Sequence, residues 1–278
     1  MRVMMADKLT FYTLRESRSK PSASVICLPG AGAGIISFLE LVDFLPGNYS
    51  YFGFQPRGLE QGEEPYPCLE YMVETYLQQL LSRKSELPYL FIGHSFGGWV
   101  ALELARNLKR KKLPVGPLVL LDVSAPQNPH RHLSRMESLL ELIEVMEMTS
   151  GGKFNLTEEL LSKLDENAQL EAIHRNMVSL GLLPSKTNCG VIQGMVNVFI
   201  ANGHMEFWPD DQYLGAALLI DAKDSKEQKE LRHDNFSRWL NFIPELRYAE
   251  SSGNHFTLLN QPNAEKLAQI IAEVWTGN

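Results

Sequence analysis

Tyr89-Leu90-Phe91-Ile92-Gly93-His94-Ser95-Phe96-Gly97-Gly98-Trp99 (YLFIGHSFGGW) joins an apolar run, a G-x-S-x-G signature and the opening of a helical pattern without a break. The order matters more than the signature, which chance supplies often. Small residues at 93 and 97 let the chain turn sharply from strand to helix and lift the serine between them above the sheet. Gly98 would let the following helix pack close. Ser95 is therefore the candidate nucleophile, and the stretch predicts a sheet whose strands end where helices begin.

The rest of the chain keeps that alternation. Strands are expected at 9–14, 24–28, 49–54, 89–93 and 117–122, with helices over 35–45, near 66–83 and over 96–110. Short apolar runs alternating with amphipathic helices imply an α/β fold with a mostly parallel sheet covered on both faces. From about 127 to 214 the periodicities are helical only: RHLSRMESLLELIEVMEM, LTEELLSKL, DENAQLEAIHRNMVSLGLL opening on Asp165 as a cap, and GVIQGMVNVFIANG stopping at Asn202-Gly203. Strands then return at 216–222 and 245–250, with a helix to about 240 and a closing helix over 261–276. A single α/β domain over 1–278 is expected, carrying the 127–214 helices as an insertion over one end of the sheet.

A serine hydroxyl is a poor nucleophile at neutral pH and needs a base, which needs an orienting acid. After a serine elbow of this kind the chain order is Ser, then Asp or Glu, then His. Of seven histidines, His255 in SSGNHFTLL lies in a Gly/Asn/Ser loop between the last strand and the last helix, where it could reach Ser95. His94 is expected to turn away and to pack or hydrogen-bond locally. His130, His132, His174, His204 and His233 are expected to be solvated or satisfied. Two acids compete: Asp122 ends the strand after the nucleophile helix, and Asp224, with Asp221 nearby, ends the next one. Either strand end could face His255.

The glycine-rich stretch SVICLPGAGAG (24–34) raises a dinucleotide-binding alternative. It lacks the G-x-G-x-x-G spacing, having Ile35 where the third glycine belongs, and the next strand ends in Gln55-Pro56-Arg57 rather than an acid. It reads better as an oxyanion loop in which the backbone N–H groups of Ala31 and Phe96 hold a developing negative charge.

Composition bounds the partners. A formal charge of −7 argues against nucleic acid held by phosphate neutralisation. The basic run Arg106–Lys112 (RNLKRKK) reads as a solvated helix end, with a local docking patch as the alternative. Cys27, Cys68 and Cys189 offer no close pair, so reduced thiols and no metal framework are expected. No stretch suits a signal peptide or a membrane span, so a cytoplasmic protein without a membrane partner is expected. Six of ten methionines fall in the helical insertion, as core or as an adaptable acyl channel.

LPGAGAG, GFQPRGL, GHSFGGW, LVLLD and GNHFTLL, in this order, resemble the thioesterase domains of nonribosomal peptide synthetases and polyketide synthases. The resemblance, which includes GLLP…VFIANG, covers nearly the whole chain. It implies an α/β-hydrolase fold whose helical insertion is a lid. It also implies attack by Ser95 on an acyl or peptidyl thioester held on the phosphopantetheine arm of a carrier protein. No cofactor or metal is implied beyond that arm. Product-releasing members of the family place the acid where Asp122 stands, and editing (type II) members one strand later, at Asp224; LVLLD and the long insertion favour Asp122. Hydrolysis would release a free acid, and an internal nucleophile would release a ring. The chain begins with methionine and carries no carrier or condensation module, so an excised terminal domain and a free-standing enzyme are both expected possibilities. A free-standing editing thioesterase and a small-molecule esterase or lipase are the alternatives.

Overall fold

The protein was studied as a computed structural model, which describes residues 10–60, 62–83, 88–127, 133–224 and 229–276. Its sheet has the strand order β1-β3-β2-β4-β5-β6-β7. The strands are β1 (Phe11–Arg15), β2 (Ser24–Leu28), β3 (Ser50–Phe54), β4 (Tyr89–His94), β5 (Val115–Leu121), β6 (Ala217–Ala222) and β7 (Leu246–Ser251). β1 pairs antiparallel with β3, and the remaining neighbours are parallel. Every residue of β2, β3, β4 and β6 is buried, as strands covered on both faces must be.

The period-two alternation of these strands sorts their side chains into two cores. Ile26, Phe52, Phe91, Leu118 and Leu219 point to one face and pack with α2 (Leu69–Ser82), α3 (Phe96–Arg110) and Trp239 of α8 (Lys229–Trp239). Val25, Tyr51, Ile92, Val119 and Ile220 point to the other, against α1 (Leu39–Phe44) and α9 (Asn263–Thr276). The framework is the expected α/β arrangement, with ends shifted by one to three residues.

Between β5 and β6 lie α4 (Arg135–Ser150), α5 (Glu158–Leu161), α6 (Glu166–Ser179) and α7 (Cys189–Gly203). Local chemistry starts each. Ser134 and Glu137 form a reciprocal capping box on α4, and Asp165 accepts from the Ala168 N–H at the start of α6, as its sequence predicts. These helices share a third apolar core, which includes Met146 and Met177. Met205 instead joins the core under α3. Packing thus accounts for these three methionines.

One contact fixes where the insertion sits. A Cβ on Gly32, in the loop after β2, would lie 3.0 Å from Phe199 Cβ and 3.1 Å from the Met195 carbonyl. Gly194 abuts the Leu59 carbonyl in the loop after β3. α7 therefore crosses the carboxyl ends of the strands, where ligands bind in open α/β sheets.

Candidate active site

Ser95 occupies the single residue between β4 and α3, with φ +52° and ψ −127°. Few L-residues adopt this conformation, and the surrounding packing has to enforce it. The Ser95 N–H donates to the Leu121 carbonyl at 3.0 Å, and its own carbonyl accepts from Gly98 at 2.8 Å. Gly97 is pressed against the carbonyl of Leu28, so a side chain there would overlap backbone. That close approach brings the loop after β2 beside Ser95. Gly30 faces Ser95 Cβ, and Ala31 lines the same cleft as Ser95 and Phe96.

The predicted acids part company here. His255 Nδ1–H donates to Asp122 Oδ2 at 2.7 Å. The other Asp122 oxygen accepts from the Ala222 N–H at 2.8 Å. Burial works to raise this carboxyl's pKa, but the bond and charge of His255, with the Ala222 N–H, bring it below the usual carboxylate value. Asp122 is itself left-handed, at φ +50°. The loop behind it is pinned by Asn235, which donates to the Val123 carbonyl and accepts from the Ala125 N–H, and by the Trp239 indole on the Val123 carbonyl. Asp224, by contrast, accepts from the Gly253 N–H at 2.8 Å and donates its own N–H to the Gly253 carbonyl. It closes the loop that carries His255 and does not reach the imidazole bond.

That loop is built by Asn254, whose side chain accepts from the N–H groups of Phe256 and Thr257 while its own N–H donates to Thr257 Oγ1. His94 adds a long-range tie. Its Nε2 donates to the His255 carbonyl at 2.8 Å, and the two rings lie 4.8 Å apart. The bond is thus made to a residue far along the chain and not locally as the sequence suggested. Burial and the neighbouring His255 lower the His94 pKa to about 3, so it is neutral and the carbonyl fixes its proton on Nε2. No motif in the sequence points to this tie.

Ser95, His255, Asp122, Ala31 and Phe96 all line one cleft of about 290 Å³. The Phe96 N–H is the first of α3 and has no acceptor within its helix. Trp99 stands on the cleft wall, its indole bonded to the Ser124 carbonyl. The dinucleotide alternative fares poorly. The glycine loop leads into a 3-10 turn at Ile35–Phe38, whose first N–H is taken by Gln55 Oε1 at 3.0 Å.

Other expectations need correction. Arg106 is no solvated helix end. It is 4% exposed and paired with Glu103, Asp210 and Asp211. Arg110 joins the same two aspartates, and Lys109 donates to the Leu214 carbonyl. The chain returning from α7 thus claims these cations. His204 Nε2 meets the Leu133 carbonyl and His233 is exposed, as expected. His174 is half-buried, and its Nε2 has no partner among the described residues. His130 and His132 lie outside the described residues. Burial pushes the Cys27 thiol far up and leaves it no nucleophile. Among the described residues no group of three or more His, Cys, Asp or Glu could hold a metal, and no helix is long and apolar enough to cross a membrane.

The comparisons with known proteins bear on family and fold. The family model described as Thioesterase domain matches residues 23–274. The inactive atromentin synthetase invA3 of Paxillus involutus is 23% identical over 247 residues, covering 86% of this chain and 25% of that protein. The chain spans about a quarter or less of the length of the curated relatives it matches. In holo-AB3403, a four-domain nonribosomal peptide synthetase, 20% of that chain matches 96% of this one with a TM-score of 0.81 at 20% identity. The type II thioesterase BorB from the borrelidin biosynthetic cluster matches over 98% of both chains, with a TM-score of 0.65 and 17% identity. At these identities the solved structures carry the fold, which is the α/β-hydrolase framework of synthetase thioesterases.

Proposed function

Since the chain belongs to the thioesterase domain family, of the kind found with nonribosomal peptide and polyketide synthases, we propose that it is a serine thioesterase releasing an acyl, polyketide or peptidyl chain from a carrier protein's phosphopantetheine arm. The observation that carries this reading is the 2.7 Å bond from His255 to Asp122 in the cleft that also holds Ser95. Ser95 Oγ attacks the thioester carbonyl as His255 Nε2 takes its proton. The negative charge on the former carbonyl oxygen falls to the N–H groups of Ala31 and Phe96. The C–S bond then breaks, His255 protonates the leaving thiolate, and an acyl-Ser95 ester remains. Water, or a hydroxyl or amine of the chain itself, gives its proton to His255 and attacks that ester. His255 returns that proton to Ser95 Oγ as the ester C–O bond breaks, and an acid or a ring departs. Asp122 keeps the imidazole in the required tautomer throughout.

The pairing with Asp122 supports the product-releasing arrangement over the editing one. In this reading the α4–α7 helices act as a lid whose closure decides between water and an internal nucleophile. The carrier protein is the proposed partner.

Incubating wild type and Ser95→Ala with acyl-pantetheine thioesters, while reading intact mass, free thiol and products, tests the reading. An adduct on wild type alone with thiol released is expected. Thiol release by Ser95→Ala at the wild-type rate, or faster cleavage of matched oxygen esters than of thioesters, would overturn it.

A further inference from the structure

Asn202 is 3% exposed, and its Oδ1 has no hydrogen-bond partner among the described residues. Buried side-chain amides are nearly always paired, so an orphan asks for an explanation. Its position supplies one, because Asn202 lines the cleft that holds Ser95, Asp122 and His255. Met195, Phe199 and Asn202 stand at i, i+4 and i+7 on α7, so they share one face. The first two of them press on Gly32 in the loop beside Ser95. The face therefore looks onto the cleft from above, and Asn202 ends it with a carboxamide where the preceding turn offers apolar groups.

We propose that the carboxamide of Asn202 binds a hydroxyl or amide carried by the acyl chain near its thioester carbonyl, selecting functionalised chains over plain alkyl chains. This rests on the thioesterase reading above. A turn about χ2 exchanges the amide's oxygen for its NH₂, so it suits a group that both donates and accepts, as hydroxyls and amides do. The distance along the acyl chain follows from space. Asn202 and Ser95 line the same cleft, so the polar function it meets lies near the reacting carbon. Selectivity follows because a plain chain entering the cleft leaves the amide unpaired, whereas a functionalised one satisfies it.

The test uses the full chain and two matched pairs of pantetheine thioesters, 3-hydroxyhexanoyl against hexanoyl and N-acetylglycyl against pentanoyl. The thiol half is constant, so the ratio of kcat/KM within a pair reads the acyl chain alone. Wild type is expected to favour the polar member of at least one pair tenfold or more. Asn202→Leu should bring that ratio to within about twofold of unity. A merely structural role would lower both members together and leave the ratio where it was. If the leucine variant fails to fold, Asn202→Ala removes both the oxygen and the NH₂ without adding bulk, and the same ratio must fall in it. Turnover without preference in wild type, or a ratio unmoved in the variants, overturns this inference and leaves the thioesterase reading standing. Failure of wild type to cleave any of the four would sink both.

Discussion

Ser95 and Asp122 are both held at positive φ, and each is held by neighbours that do no chemistry themselves. For Ser95 the neighbour is Gly97, whose missing side chain lets α3 close on the Leu28 carbonyl. Gly97→Ala should therefore cost about 3 kcal/mol or more, because the overlap is with backbone that cannot turn aside; urea unfolding would measure it. For the acid, the structure turns an ambiguity into a ranking. Asp122→Asn should reduce kcat on a thioester roughly ten-thousandfold through the wrong imidazole tautomer, with Asp224→Asn within about tenfold of wild type because it alters only a loop closure. Equal losses would point to two interchangeable acids and refute the proposed roles. Ser95 and His255 could be nominated from the sequence because each sits in its own local signature, and both line one cleft. The acid could not, since Asp122 and Asp224 both end strands and differ only in what the folded 253–257 loop does with them. His94 was hidden for the same reason, its partner being a backbone carbonyl that no side-chain pattern encodes.

Between residue and molecule, α3 serves as both pedestal and anchor. Its first turn presents Ser95, and its last turns grip the chain returning from the α4–α7 helices through Arg106 and Arg110. The sequence shows RNLKRKK as a plain cationic run, because the aspartates that answer it lie about a hundred positions further on. Burial separates the two arginines. Arg106 is 4% exposed and satisfies Glu103 inside, whereas Arg110 is 42% exposed and its pairings are screened by water. Arg106→Ala should cost about 3 kcal/mol by leaving Glu103 poorly paired, and Arg110→Ala under about 1 kcal/mol. Thermal unfolding would rank them, and cleavage within 205–214 by a low dose of protease should rise in the Arg106 variant first. Similar costs for both would mean that the clamp is shared surface charge and not a buried anchor.

At the scale of the whole molecule, alternation of strand and helix was legible because one physical period governs each, and burying both faces of a parallel sheet leaves the strands apolar throughout. Strand order and the seating of α7 over the strand ends were not, being set by contacts such as Gly32 with Phe199 that couple distant segments. The same coupling gives the molecule its response to acid. His94 is buried under the His255 loop with its pKa lowered to about 3, against 6.5 when unfolded. As pH falls below 6.5 the unfolded chain takes up a proton that the folded one refuses, so stability declines until the folded value is reached, at most about 1.4 kcal/mol per pH unit. Asp122 adds to this at lower pH. Its carboxyl is held below the ordinary value, so its contribution is present above that value and is lost as pH falls through the folded one. The two windows overlap at the ordinary carboxylate value, His94 acting first. Replacing His94 by glutamine removes the titrating group while keeping an N–H for the His255 carbonyl. Between pH 7 and pH 5, wild type should therefore lose roughly 2 kcal/mol more unfolding free energy than His94→Gln, with the difference gone above pH 7. Urea titrations at the two pH values measure it, and parallel losses in both proteins would mean that His94 takes up its proton at the same pH folded and unfolded, so that burial does not depress it.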